Sequence, residues 1–186
     1  MSLINWLVAM FKALFSQNHS KRHAHALYGA VVARSRDAQF FHTYGVPDTL
    51  DGRFEVLVIH LFMLHSRLKD EETATRKISQ LVFDNFIDDM DSALREAGVG
   101  DQSVPKRIAK MTQVFYGRTG AFETALESST PIKILAEVID RNLFPEGCAG
   151  GEPELLADYM VSQVQDLSQK TVEQIIHKHE IYGVTS

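Results

Sequence analysis

Histidine, carboxylate and cysteine side chains can shuttle protons, hold metals or attack carbonyls, and in this chain their spacing works against all three. His23 and His25, like His177 and His179, are two residues apart, so neither pair shares one side of a helix. His60 and His65, five apart, point about 140° apart on a helix, and Glu55 with His60 diverge in the same way. There is no Glu-x-x-His pair, no H-E-x-x-H, no C-x-x-C, no G-x-S-x-G and no phosphate-cradling G-x-x-x-x-G-K-[ST]. Cys148, the only cysteine, sits in a glycine-rich loop without an activating neighbour in sequence. The expectation is a protein that is not an enzyme, with no metal and no cofactor. One arrangement does suit a charged ligand. Gly98-Val99-Gly100 precedes a helix whose first turns hold Lys106, Arg107 and Lys110, cations that oppose the helix macrodipole unless an anion sits nearby. Asp101 or a partner's carboxylate or phosphate can supply it; a solvated face is the other reading.

The element that must position everything else is the stretch Asp48 to Leu68. Asp48, Thr49 and Asp51 offer capping oxygens, Gly52 relieves crowding, and apolar residues from Phe54 to Leu68 cover nearly the whole helix. A helix apolar almost all round is a central one. Arg53, His60 and Arg67 are seven apart along it, and buried charges there need partners.

The 186 residues allow one domain with a sizeable core, and 45% hydrophobic with 23% charged residues is an ordinary globular composition. Residues 1–36 carry +5 without one acid, so the net charge of −5 leaves −10 on the rest. An acid-free basic front suggests an anionic partner. Residues 3–15, LINWLVAMFKALF, are too short to span a bilayer. Three readings stay open: an interfacial membrane anchor, a helix packed on its own domain or a second copy, and a mitochondrial presequence. The anchor reading divides the chain into an amphipathic interfacial segment, 1–19, and an all-α domain, 20–186. Its lipid contacts are Trp6, Phe11, Lys12, Phe15, Lys21 and Arg22.

No segment alternates at period two, so the spacing predicts an all-α, single-domain helical bundle with an amphipathic N-terminal helix. Helices are expected at 3–15, 21–36, a short one around Phe40 and Phe41, 53–69, and 73–97 capped by Thr73 and ended by Gly98. Ser103 should cap the next, with Ile108, Met111, Phe115 and Tyr116 inward and a bend or break at Gly117 and Gly120 before a second piece carrying Phe122 and Leu126. A helix from Pro131 to Leu143 and a last one from Glu154 to about Glu180, interrupted near Ser168, complete the chain.

Four stretches carry a likeness to a known family: LYGAVVARSRD (27–37), GVPDTLDGRFEVLVIHLFML (45–64), DDMDSALREAGVGDQSVPKRIAKM (88–111) and FYGR (115–118). Together they resemble the ubiquinol–cytochrome c chaperone family over roughly residues 24–125. The resemblance implies a non-enzymatic assembly chaperone for the cytochrome bc1 complex that binds newly made cytochrome b. Mitochondrial members act with a small partner protein and associate with the ribosome. For this chain it implies a bacterial member, peripheral at the cytoplasmic face of the inner membrane, or on the matrix side if eukaryotic. The chain would act as a monomer or weak dimer, with unassembled cytochrome b, the ribosome and an anionic membrane as partners. Lys106, Arg107, Lys110, Tyr116 and Arg118 are the candidate partner contacts. Two other classes remain: a small helical quinone- or cofactor-binding protein or enzyme, and a ribosome or RNA adaptor.

The short loop at 70–72 predicts an antiparallel hairpin of 53–69 and 73–97. Folding about residue 71 sets Arg53 opposite Asp89, which predicts a structural ion pair between them.

Overall fold

Thr49 opens the central helix as its sequence predicts, its hydroxyl accepting from the Gly52 amide at 3.1 Å. Gly52 itself is required, because a Cβ there would lie 2.0 Å from the Pro47 carbonyl oxygen. The computed structural model describes residues 3–179 and 181–182, with side chains from residue 18 onward. Among the described residues there is no strand. The helices are α1 (Leu3–Ser35), α2 (Gln39–His42), α3 (Leu50–Leu68), α4 (Thr73–Glu96), α5 (Val104–Leu126), α6 (Pro131–Leu143), α7 (Glu152–Gln169) and α8 (Val172–Lys178).

The all-α reading holds, with α3 at the centre against α1, α4, α5 and α7. Val56, Val58, Ile59 and Phe62 are completely buried. Each such side chain contributes about 1.5–3 kcal/mol by leaving water.

The differences are local. Helices expected at 3–15 and 21–36 form one element, α1, so the boundary at residue 19 falls inside it. The lipid-contact candidates Trp6, Phe11, Lys12 and Phe15 lie outside the described side chains. α5 runs through Gly117 and Gly120 as one helix, without the expected break. Two glycines cost helical stability but do not end a helix whose other face is buried. Thr73 and Ser103 do not cap: α4 begins after Glu72 and neither it nor Ser103 makes a capping side-chain bond. Gly98 does terminate α4. At φ +80°, it leaves Gly98 N–H on the Arg95 carbonyl (2.9 Å) and Val99 N–H on that of Leu94 (3.0 Å), the paired bonds of a left-handed helix stop.

The predicted Arg53–Asp89 pair does not form. α4 packs chiefly on α1, not face to face with α3, so Asp89 turns to α1 and accepts from the Tyr28 hydroxyl at 2.7 Å. Arg53 stays half-exposed at the mouth of α3, 2.6 Å from Asp48 Oδ1 and over the Phe41 ring. Folding about one loop residue sets a register for two helices, but not which other helix α4 packs on most.

Candidate partner-binding face

α5 has one face committed to the core and one that packs on nothing among the described residues. Val104, Phe115, Thr119, Phe122 and Ala125 are buried. On the other side, Lys106, Lys110, Gln113, Gly117, Gly120 and Thr124 follow the helical repeat and are exposed. Lys106, Arg107 and Lys110 make no ion pair with a described residue. Asp101 does not neutralise them, because it joins Asp91 on Arg95. A solvated cationic patch remains at the start of α5.

Farther along the same face, Gly117 and Gly120 leave open space where a Cβ would stand. Exposed glycines inside a helix cost about 1 kcal/mol each relative to alanine, and no packing among the described residues requires them. Beside them Tyr116 is 61% exposed, a correction to its expected inward position. Its ring is the outer end of an aromatic ladder. Tyr116 lies 5.8 Å from Phe83 and 5.6 Å from Phe115, and both rings reach the buried Phe86 at 5.8 and 5.9 Å. The ladder holds a large amphipathic side chain rigidly at the surface, the kind of group that anchors interfaces.

Arg118 does not join this face. It stands about 120° around the helix from Lys106. It points inward to Glu55 of α3, with three N–H···O bonds of 2.9–3.1 Å. Glu55 is 9% exposed, so the guanidinium supplies the counter-charge that a buried carboxylate demands. Reading Glu55 only against His60 missed this pair. The signal was available, since one acid in a nearly all-apolar helix has to meet a cation from another element.

His60 is also settled by its neighbours. Its Nδ1 faces the Val56 carbonyl at 2.8 Å, and a carbonyl only accepts, so the ring proton is on Nδ1. Nε2 therefore accepts from the Tyr159 hydroxyl at 2.8 Å, and that oxygen in turn accepts from Arg34 Nε at 3.3 Å. Burial pushes the His60 pKa down to about 3 and that of Tyr159 up to about 12. Both stay neutral across the physiological range, which suits a structural network better than proton transfer. Arg67 closes the line of basic residues on α3 by donating to the carbonyls of Leu167 and Lys170 at the end of α7. Cys148 is exposed beside Asp140, and its pKa is raised by desolvation and then by Glu152 and Asp140, the reverse of an activated thiolate. Lys21 and Arg22, the remaining lipid-contact candidates, are exposed on α1.

A family model described as ubiquinol–cytochrome C chaperone matches residues 42–181. The ubiquinol–cytochrome-c reductase complex assembly factor 1 of Xenopus laevis is 26% identical over 156 residues, 83% of this chain and 77% of that protein. The corresponding Homo sapiens protein is 24% identical over the same share of this chain, which spans 52% of its length. The crystal structure of the Cbp3 homolog from Brucella abortus superposes with a TM-score of 0.82 at 31% identity, covering 95% of this chain and 96% of that one.

Proposed function

The chain belongs to the ubiquinol–cytochrome c chaperone family, and on that premise we propose that it holds unassembled cytochrome b on the outward face of α5. The observation that carries this reading is the pair of uncovered glycines, Gly117 and Gly120, beside the exposed Tyr116. Glycines on a helix surface let a second helix approach backbone to backbone, the geometry by which apolar helices pack without large side chains. Tyr116 supplies an anchoring ring, and Lys106, Arg107 and Lys110 supply a charged end that orients the client. The work is holding and not catalysis, which agrees with the fixed protonation of His60 and Tyr159.

The chaperone acts peripherally at the membrane, on the cytoplasmic face in a bacterium or the matrix face in a mitochondrion. Among the described residues no helix is long and apolar enough to cross a bilayer. Residues 1–19 provide the lipid contact. Deleting the gene should lower the bc1 complex and destabilise cytochrome b in the source organism, and Gly117→Leu with Gly120→Leu should reproduce that loss in a folded protein. Normal bc1 content in both strains would refute the proposal. The same unpaired cations suit a ribosome contact, which would show as sedimentation with ribosomes that falls steeply with salt.

A further inference from the structure

Where α8 packs on α1, four histidines converge. The His23 ring lies 4.7 Å from that of His177 and 6.0 Å from those of His179 and His19, centroid to centroid. With Lys21, Arg22 and His25 they line an open groove of about 730 Å³. Among the described residues no carboxylate lines it, and neither Lys21 nor Arg22 makes an ion pair. His179 Nε2 is buried here without a hydrogen-bond partner among the described residues.

We infer that the groove is a binding site for a phosphate-bearing anion, supplied by a lipid headgroup or by free phosphate. Fixed charge comes from Lys21 and Arg22, and the imidazoles add charge and N–H donors when protonated. Four imidazoles this close repel one another once charged, and an anion between them removes that repulsion. The state of His23 agrees: burial, followed by the fields of His177, His179 and His19, holds its pKa below the usual histidine value, against a backbone hydrogen bond to Ile176. A metal ion fits less well. No three of these side chains form a chelating set among the described residues, and Lys21 and Arg22 oppose a cation. The site is independent of the α5 face, and His19 follows the apolar stretch 3–15 by four residues.

The test follows the imidazole resonances of the full chain by NMR during titration with inorganic phosphate. Parallel titrations use phosphatidylglycerol bicelles and phosphatidylcholine bicelles. Anion binding takes up protons, so the pKa of His23 should rise by about one unit and affinity should strengthen as pH falls. A response to phosphate alone assigns a soluble ligand; a response to phosphatidylglycerol, with or without one to phosphate, assigns the headgroup. Lys21→Gln with Arg22→Gln, both at exposed positions, should weaken the response to phosphatidylglycerol about tenfold without touching the His23 contact. An unmoved His23 with both anions would overturn the inference, even if the chain still binds bicelles. So would an equal response to phosphatidylcholine, or zinc binding that releases protons and tightens as pH rises.

Discussion

The Arg118 guanidinium grips the Glu55 carboxylate through three hydrogen bonds, tying the middle of α5 to the buried face of α3. This contact fixes the rotation of α5. With Arg118 turned inward, Lys106, Lys110, Gly117 and Gly120 can only face out. Breaking it leaves an uncompensated charge. Arg118→Ala should cost about 3 kcal/mol in urea unfolding, while Lys106→Glu with Lys110→Glu should stay within about 0.5 kcal/mol. Replacing both partners, Glu55→Leu with Arg118→Met, should recover most of the loss. Equal stability of Arg118→Ala and wild type would show that the pair is solvated.

Acid should expose the His60 network. Its folded pKa of about 3 lies below the ordinary 6.5 of an unfolded chain, so the unfolded state binds the extra proton. The contribution is complete above about pH 6.5 and is lost as pH falls toward 3, by about 1.4 kcal/mol per unit. His23 and His65 are lowered as well and slope the same way, so the readout is a difference. The stability gap between wild type and His60→Gln should narrow as pH drops from 7 to 5; a constant gap contradicts the buried neutral imidazole.

Arg53 and Asp89 should behave as strangers. Arg53→Ala removes an exposed pair with Asp48 and a contact with the Phe41 ring, together worth about 1 kcal/mol. Tyr28→Phe, which removes the buried hydroxyl from Asp89, should cost about 1.5 kcal/mol. A double-mutant cycle of Arg53→Ala with Asp89→Ala should give no coupling beyond about 0.3 kcal/mol.

The N-terminal segment yields a different kind of outcome. Deleting residues 1–16 should leave the melting transition of the remainder in place while removing binding to anionic liposomes. A loss of several kcal/mol would mean instead that these apolar side chains are packed on the domain.

Much of this was legible in the chain. The capped, all-apolar stretch from Asp48 to Leu68 announced the central helix, and Gly98, Pro105 and Pro131 marked real boundaries. Partner choice was less legible. Arg53 and Asp89 face each other in a two-helix drawing, but a third helix, α1, took Asp89, and no local pattern encodes which helices neighbour which. Glu55 and Arg118, 63 residues apart, were connected only by the demand that a buried carboxylate be paired. The outward face of α5 was half visible. Its cations stood out, whereas Gly117 and Gly120 looked like a break, because one-dimensional propensity cannot tell an interrupted helix from one left uncovered.

Reception of cytochrome b by this uncovered face of α5 is a proposal with two consequences. Gly117→Ala with Gly120→Ala should raise stability by about 1–2 kcal/mol, since nothing among the described residues packs on either glycine. The most direct measurement places a photo-crosslinking side chain at the exposed Gln113 of α5 and, as a control, at the exposed Glu154 of α7. Irradiated in the source organism, the Gln113 position should capture unassembled cytochrome b and the Glu154 position should not. Capture from neither position, or equally from both, in a folded and membrane-bound protein would rule out α5 as the cytochrome b site.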